Sequence, residues 1–269
     1  MKRSYQIGLL GVIVLLLNIS SSFARIKVTP AVQQMVLTAG EEREVFFEIM
    51  NSGQQDLKIT IEPEDWGQTQ DLKDITWTRW LDLDTRGFQL KAGEKKRISC
   101  RVHLPSDITR EVNAMVYFSC ELPRKNIRLK TRVGVSLFAG RKGNEKKNIE
   151  IESIKVSKSS GLNPACYFDI TLKNNGNTHI IPQGYLILSK PDNTRVAYLP
   201  LSNMEPVIAD EKKVYRITCK ESTFNGNYKG KMIITYKGFP ERAEFKKVKE
   251  FSFFISRKEE KRGKAYFKE

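Results

Sequence analysis

The sequence predicts an all-β chain: two tandem immunoglobulin-like β-sandwich domains behind an N-terminal signal peptide. Three observations predict it. Short runs of alternating apolar and polar residues recur with turn residues about every 8 to 12 positions, and helical periodicity is nearly absent. The two halves share a weak internal repeat. Ala92-Gly93-Glu94-Lys95-Lys96 leads to Arg97-Ile98-Ser99-Cys100, and Ala209-Asp210-Glu211-Lys212-Lys213 leads to Arg216-Ile217-Thr218-Cys219. In each half an Asn-x-Gly turn comes earlier, Asn51-Ser52-Gly53 and Asn174-Asn175-Gly176. Finally, the N-terminus has the three parts of an export signal.

The signal is residues 1–24. Lys2 and Arg3 form the positive start, residues 7–17 an apolar run interrupted by Gly8 and Gly11, and Ser22-Phe23-Ala24 a small-x-small cleavage site. The run falls short of the ~20 residues of a membrane span. Cleavage and retention as an anchor both stay open. No later segment approaches spanning length, so no integral span is expected after cleavage.

The first domain, 25–140, is read as strands at 26–29, 44–50, 57–62, 80–83, 96–104, 114–122 and 127–139. Residues 141–148 form the linker, in a polar stretch with two glycines. The second domain, 149–256, is read as strands at 149–157, 165–173, 185–189, 195–199, 212–220, 228–236 and 248–255. Asn174-Asn175-Gly176-Asn177 and Asn225-Gly226-Asn227 are strong turn signals. Residues 257–269 are almost wholly charged and read as a frayed tail.

The chain has 46 Lys and Arg against 31 Asp and Glu, a formal net charge of +15. Such a balance suits a soluble basic surface or an anionic partner. Export, the scatter of the bases and the lack of any nucleic-acid motif argue against nucleic acid. Four cysteines, Cys100, Cys120, Cys166 and Cys219, allow three pairings in an exported chain. Sequence order favours Cys100–Cys120 and Cys166–Cys219. Strand parity points all four to the core, and buried unpaired thiols are the alternative.

No catalytic or metal site is expected, and no cofactor. His103 and His179, the two histidines, lie in different domains, and no HExxH, CxxC, P-loop or GxSxG occurs. The acids Glu62, Glu64, Asp65, Asp71, Asp74, Asp82 and Asp84 read as solvated loop residues. Trp80 is expected to fill the sandwich core, with Trp66 and Trp77 capping it.

Residues 126–138 hold the candidate site. Ile127, Leu129, Val133 and Val135 alternate with Arg128, Lys130, Arg132 and Gly134, with Thr131 in the apolar phase. This is a long strand for a small sandwich. A free edge with an apolar row is what β-augmentation requires: main-chain bonds supply affinity and alternate side chains fill a partner's pockets. Ile127, Leu129, Thr131, Val133 and Val135 are the candidate partner-binding residues, with Lys130 and Arg132 as candidate basic anchors.

At these residues the chain resembles the periplasmic pilus-assembly chaperones. Val36-Leu37-Thr38-Ala39-Gly40 with the strand ending in Asn51-Ser52-Gly53 is similar to their first hairpin region. Residues 88–105, through Ala92-Gly93-Glu94-Lys95 to Leu104-Pro105, are similar to their next segment. Val116-Tyr117-Phe118 and Val135-Ser136-Leu137-Phe138 are similar to the last two strands of their first domain. The resemblance implies two Ig-like domains that hold exported subunits by lending the last strand of the first domain. It also implies a cleft Arg and Lys for the subunit's terminal carboxylate. Here the Lys position is Ser136 and the Arg position falls near Gln34-Met35, so those anchors are not matched. Two functions follow as expectations. One is a periplasmic chaperone-like protein binding exported or pilus-type subunits. The other is a structural or adhesive cell-envelope protein using its modules as scaffold. The oligomeric state is left open.

Overall fold

The structure, a computed structural model, describes residues 26–66, 77–124, 127–159, 165–201, 205–220, 224–237, 244–255 and 265–266. The signal segment, Asp71, Asp74 and most of the tail lie outside the described residues. Among the described residues no helix is long and apolar enough to cross a membrane.

Two β-sandwiches follow one another. The first contains β1 (Ile26–Thr29), β2 (Val32–Leu37), β3 (Glu42–Asn51), β4 (Leu57–Asp65), β5 (Leu81–Leu83), β6 (Gly87–Leu90), β7 (Lys95–His103), β8 (Val112–Arg124) and β9 (Ile127–Arg141), with a 3-10 turn at Trp77–Trp80. Its sheets have the orders β1-β3-β7-β5 and β2-β9-β8-β4-β6. The second contains β10 (Ile149–Lys158), β11 (Cys166–Asn174), β12 (Gln183–Ser189), β13 (Arg195–Pro200), β14 (Lys212–Cys219), β15 (Gly226–Lys237), β16 (Glu244–Ile255) and β17 (Ala265–Tyr266). Its sheets are β10-β11-β14 and β13-β12-β15-β16-β17.

Each sandwich has its own apolar core, because inward residues of both sheets alternate with polar outward ones. In β3, Val45, Phe47 and Ile49 are buried while Phe46 and Glu48 are exposed. Phe47 meets Phe118 of the facing sheet edge-on, with ring centroids 5.6 Å apart. In β11, Cys166, Phe168, Ile170 and Leu172 enter the second core, where Phe168 meets Phe253 at 5.5 Å.

The internal repeat is one hydrogen-bonding device used twice. Asn51 Nδ2 donates to the carbonyls of Gln55, Leu90 and Lys91 at 2.8, 3.2 and 3.0 Å, and its Oδ1 accepts from Gly53 N–H at 3.0 Å. Asn174 Nδ2 donates to Thr178 and Val207 carbonyls at 2.8 and 3.0 Å, and its Oδ1 accepts from Gly176 N–H at 2.9 Å. Their backbone N–H groups donate to Glu94 and Glu211 carbonyls at 3.0 and 2.9 Å. Both side chains are fully buried, so each holds a turn that apolar residues could not.

Three expectations change. Two edge strands, β2 and β6, were not expected. Of β2 only Met35 and Leu37 are buried, and of β6 only Leu90, so neither shows the alternation of a central strand. Trp77, not Trp80, fills the core at 2% exposure; Trp80 packs beside it with centroids 5.0 Å apart. The 3-10 turn shifts these residues off strand parity. Within the expected tail, Ala265 and Tyr266 pair with Phe253 and Ser252 as β17.

Neither of the two favoured disulfides is present among the described residues of the structure. All four cysteines are buried thiols. Cys166 and Cys219 stand directly opposite in the β11–β14 ladder, whereas Cys100 and Cys120 sit on facing sheets. Burial, then the nearby carboxylates of Asp82 and Asp84, push the Cys100 thiol up to about 12. The thiolate is the reactive form. Cys100 is therefore expected to resist iodoacetamide at pH 8 in the native protein and to label on unfolding, read by peptide mass spectrometry.

Candidate functional site: the open edge of the ninth strand

β9 pairs antiparallel with β8 along its length, from Ile127 opposite Arg124 to Ala139 opposite Val112. On its other side β2 lies parallel, but only from Ser136 to Arg141. Ser136 N–H donates to the Ala31 carbonyl at 3.1 Å, which marks where that cover begins. From 127 to 135 the outer edge of β9 has no strand beside it among the described residues. β4 pairs with β8 only as far as Cys120, so the tip of the β8–β9 hairpin projects as a two-stranded ribbon.

Peptide groups alternate in direction along a strand. Ser136 N–H faces β2, so the N–H and C=O of Arg128, Lys130, Arg132 and Gly134 face the open edge. Those of the odd-numbered residues face β8. The ladder is continuous over this stretch, so the parity carries through.

The candidate side chains divide. Val135 is fully buried in the first core, and Val133 packs partly against it. Thr131 is half-buried and Lys130 exposed. Ile127 and Leu129 are placed by the backbone at the ribbon end; their side chains lie outside the described residues. Of the candidates whose side chains are described, Thr131 and part of Val133 stay outside the core.

Arg132 is not available as an anchor. Its guanidinium binds the Glu64 carboxylate, lies 3.6 Å from Glu62 and stacks over the Tyr117 ring at 3.5 Å. These contacts tie β9 to β8 and β4 on the outer face. Gly134 makes room for them: a Cβ there would come within 2.6 Å of Met115 Cε and 2.9 Å of Tyr117 Cε1. The acids considered for chemistry are likewise engaged. Asp65 accepts from Thr78 N–H at 2.8 Å, Asp82 pairs with Arg101, and Asp84 accepts from Ser99 N–H at 2.8 Å. His103 lies 3.3 Å from Glu42 at an exposed strand end. Among the described residues no group of three His, Cys, Asp or Glu is placed to hold a metal.

Below the open edge the two sandwiches meet at a junction that spacing in the sequence did not reveal. His179 Nδ1 lies 2.7 and 2.9 Å from the Glu111 carboxylate oxygens, and its backbone N–H donates to the same carboxylate at 3.1 Å. Its Nε2 lies 2.7 Å from Gln34 Nε2, and its ring stacks on Phe138 at 3.7 Å. With Nδ1–H donating to Glu111, Nε2 accepts from the Gln34 amide. The His179 and Glu111 side chains are 6% and 7% exposed. Asn177 adds bonds from Nδ2 to the Thr109 and Asn144 carbonyls at 2.9 and 2.7 Å, and Arg110 pairs with Asp210 at 3.0 Å. Gln34 binds His179, and Ser136 Oγ donates to Met115 Sδ at 3.4 Å.

No family model matches this chain, and no curated protein matches its sequence. Solved structures match its fold. The YadV chaperone is 11% identical, with a TM-score of 0.50, over 84% of this chain and 100% of that one. A second match is the CsuC–CsuE chaperone–tip adhesion subunit pre-assembly complex, from the archaic chaperone-usher Csu pili of Acinetobacter baumannii. It is 16% identical, with a TM-score of 0.50, over 83% of this chain and 98% of the matched chain. The fold is that of the pilus-assembly chaperones. At these identities the likeness is one of fold.

Proposed function

We propose that the protein is a chaperone-like component of the periplasm that holds exported or pilus-type subunits by lending them the open edge of β9. One observation carries the reading: β2 covers β9 from Ser136 onward, and among the described residues no strand covers 127–135. A bare edge with an apolar row is a ready template for another chain, and folded proteins normally cover or blunt it. A subunit strand added there completes its main-chain bonds with the even-numbered residues of β9 and receives Ile127, Leu129 and Thr131 in its own groove. The chaperone–subunit complex among the structural matches supports a subunit as partner, and the signal segment supports export. No chemistry is required.

Ile127→Arg and Leu129→Arg test it. Each places a charge in the row offered to the partner, and burying an unpaired charge is costly. Each is expected to weaken capture of envelope subunits in a periplasmic pull-down by at least about tenfold, with the melting temperature unchanged because the ribbon lies beyond the core. Capture unaffected by both substitutions rules out donation through this edge. In that event the closely bonded junction at His179 favours the second reading, a rigid scaffold module of the cell envelope.

A further inference from the structure

The open edge carries a charge pattern as well as an apolar row. From residue 121 to 130 the hairpin holds four bases, Arg124, Lys125, Arg128 and Lys130, and one acid, Glu121. Arg128 and Lys130 alternate with Ile127 and Leu129, so they occupy the other phase of the strand. In the ladder Arg128 stands opposite Pro123, and Lys130 opposite Glu121. Lys130 is exposed. Arg132, the next base in this phase, differs: Glu62 and Glu64 neutralise it from within the sheet. By sequence the stretch 121–130 carries four bases against one acid, so the basic excess lies toward the ribbon end, where the partner's strand would lie.

A strand added to the edge brings its own residues of that phase directly beside Arg128 and Lys130, at about 4.5–5.5 Å between Cβ atoms. At that spacing opposite charges stabilise the pair and like charges oppose it. We infer that the partner's strand is acidic in the phase that alternates with its apolar residues: an extended exported segment with Asp or Glu beside Arg128 and Lys130. This rests on the strand-donation reading and adds a selection rule to it. A polyanion without an apolar phase would meet the same bases but would leave the Ile127 and Leu129 row unfilled.

The test is fluorescence anisotropy on the full chain with three labelled synthetic peptides. One alternates Val and Ile with Glu, one has the same apolar phase alternating with Lys, and one is poly-Glu. At low ionic strength the Glu-alternating peptide is expected to bind about tenfold tighter than the Lys-alternating one, with the gap closing as salt shortens the screening length. Lys130→Glu is expected to remove or invert that preference. Equal binding of the two amphipathic peptides overturns the charge rule and leaves donation standing. If neither binds, donation itself fails and the rule falls with it. Poly-Glu binding as tightly as the Glu-alternating peptide reduces the edge to a general anion surface and overturns the inference.

Discussion

Lys130→Pro is expected to abolish partner capture while leaving the fold in place. Proline removes one backbone N–H and fills its place with a ring. In β9 the Lys130 N–H faces the open edge rather than β8, because the parity is set by Ser136 N–H, which faces Ala31. The substitution therefore deletes a donor that only a partner could use, and its ring obstructs the incoming strand. Proline is tolerated on edge strands when the lost N–H faces solvent. A loss of capture of at least about a hundredfold is expected, since ladder bonds on both sides of the ring are disturbed. Thr131→Pro is the internal contrast. Thr131 stands opposite Cys120, its N–H faces β8, and losing that ladder bond is expected to lower stability by about 1–3 kcal/mol. Capture measured alongside thermal melts separates the two. Wild-type capture by Lys130→Pro would show that the edge is not where partners bind.

Gly176→Ala is expected to disturb the junction between the sandwiches. A Cβ at Gly176 would lie 2.2 Å from the Lys146 carbonyl oxygen and 3.0 Å from Asn148 N, both backbone atoms of the linker. Neither can turn aside as a flexible side chain could. The linker must shift, and with it the bonds between Asn177 and Lys146: Asn177 N–H to the Lys146 carbonyl at 2.9 Å, and Lys146 N–H to Asn177 Oδ1 at 2.7 Å. Overpacking of this kind costs about 1–3 kcal/mol. Urea melts should show the loss, and small-angle scattering should show a changed domain arrangement. Unchanged scattering together with an unchanged melt would mean that the linker is not packed against this turn in solution.

Much of the strand framework is legible in the sequence because a strand buried on one face writes its period into the chain. β11, with Cys166, Phe168, Ile170 and Leu172 inward, and β3, with Val45, Phe47 and Ile49 inward, can be read residue by residue. β2 and β6 cannot: they are short edges that bury one or two side chains each, and their position comes from the strands beside them. The candidate edge shows the same division. Its apolar row and unusual length are local properties and can be read. That β2 closes only the far part of it is a matter of tertiary arrangement. Arg132 looked free because Glu62 and Glu64 lie on β4, two strands away in the sheet. His179 looked isolated because its partners, Gln34 and Glu111, are distant in sequence and meet it only where the sandwiches touch.

The parallel contact of β2 with β9 has one more consequence. It ends at Ala31, beside Ser136, and so puts a floor under the open edge. An incoming strand can slide along β9 only until it meets that floor. The bare stretch, 127–135, is about nine residues, or ~30 Å of extended chain. Under the proposed strand donation the edge would work as a ruler: a shorter segment would leave donors and acceptors bare, and a longer one would have to turn away from the sheet.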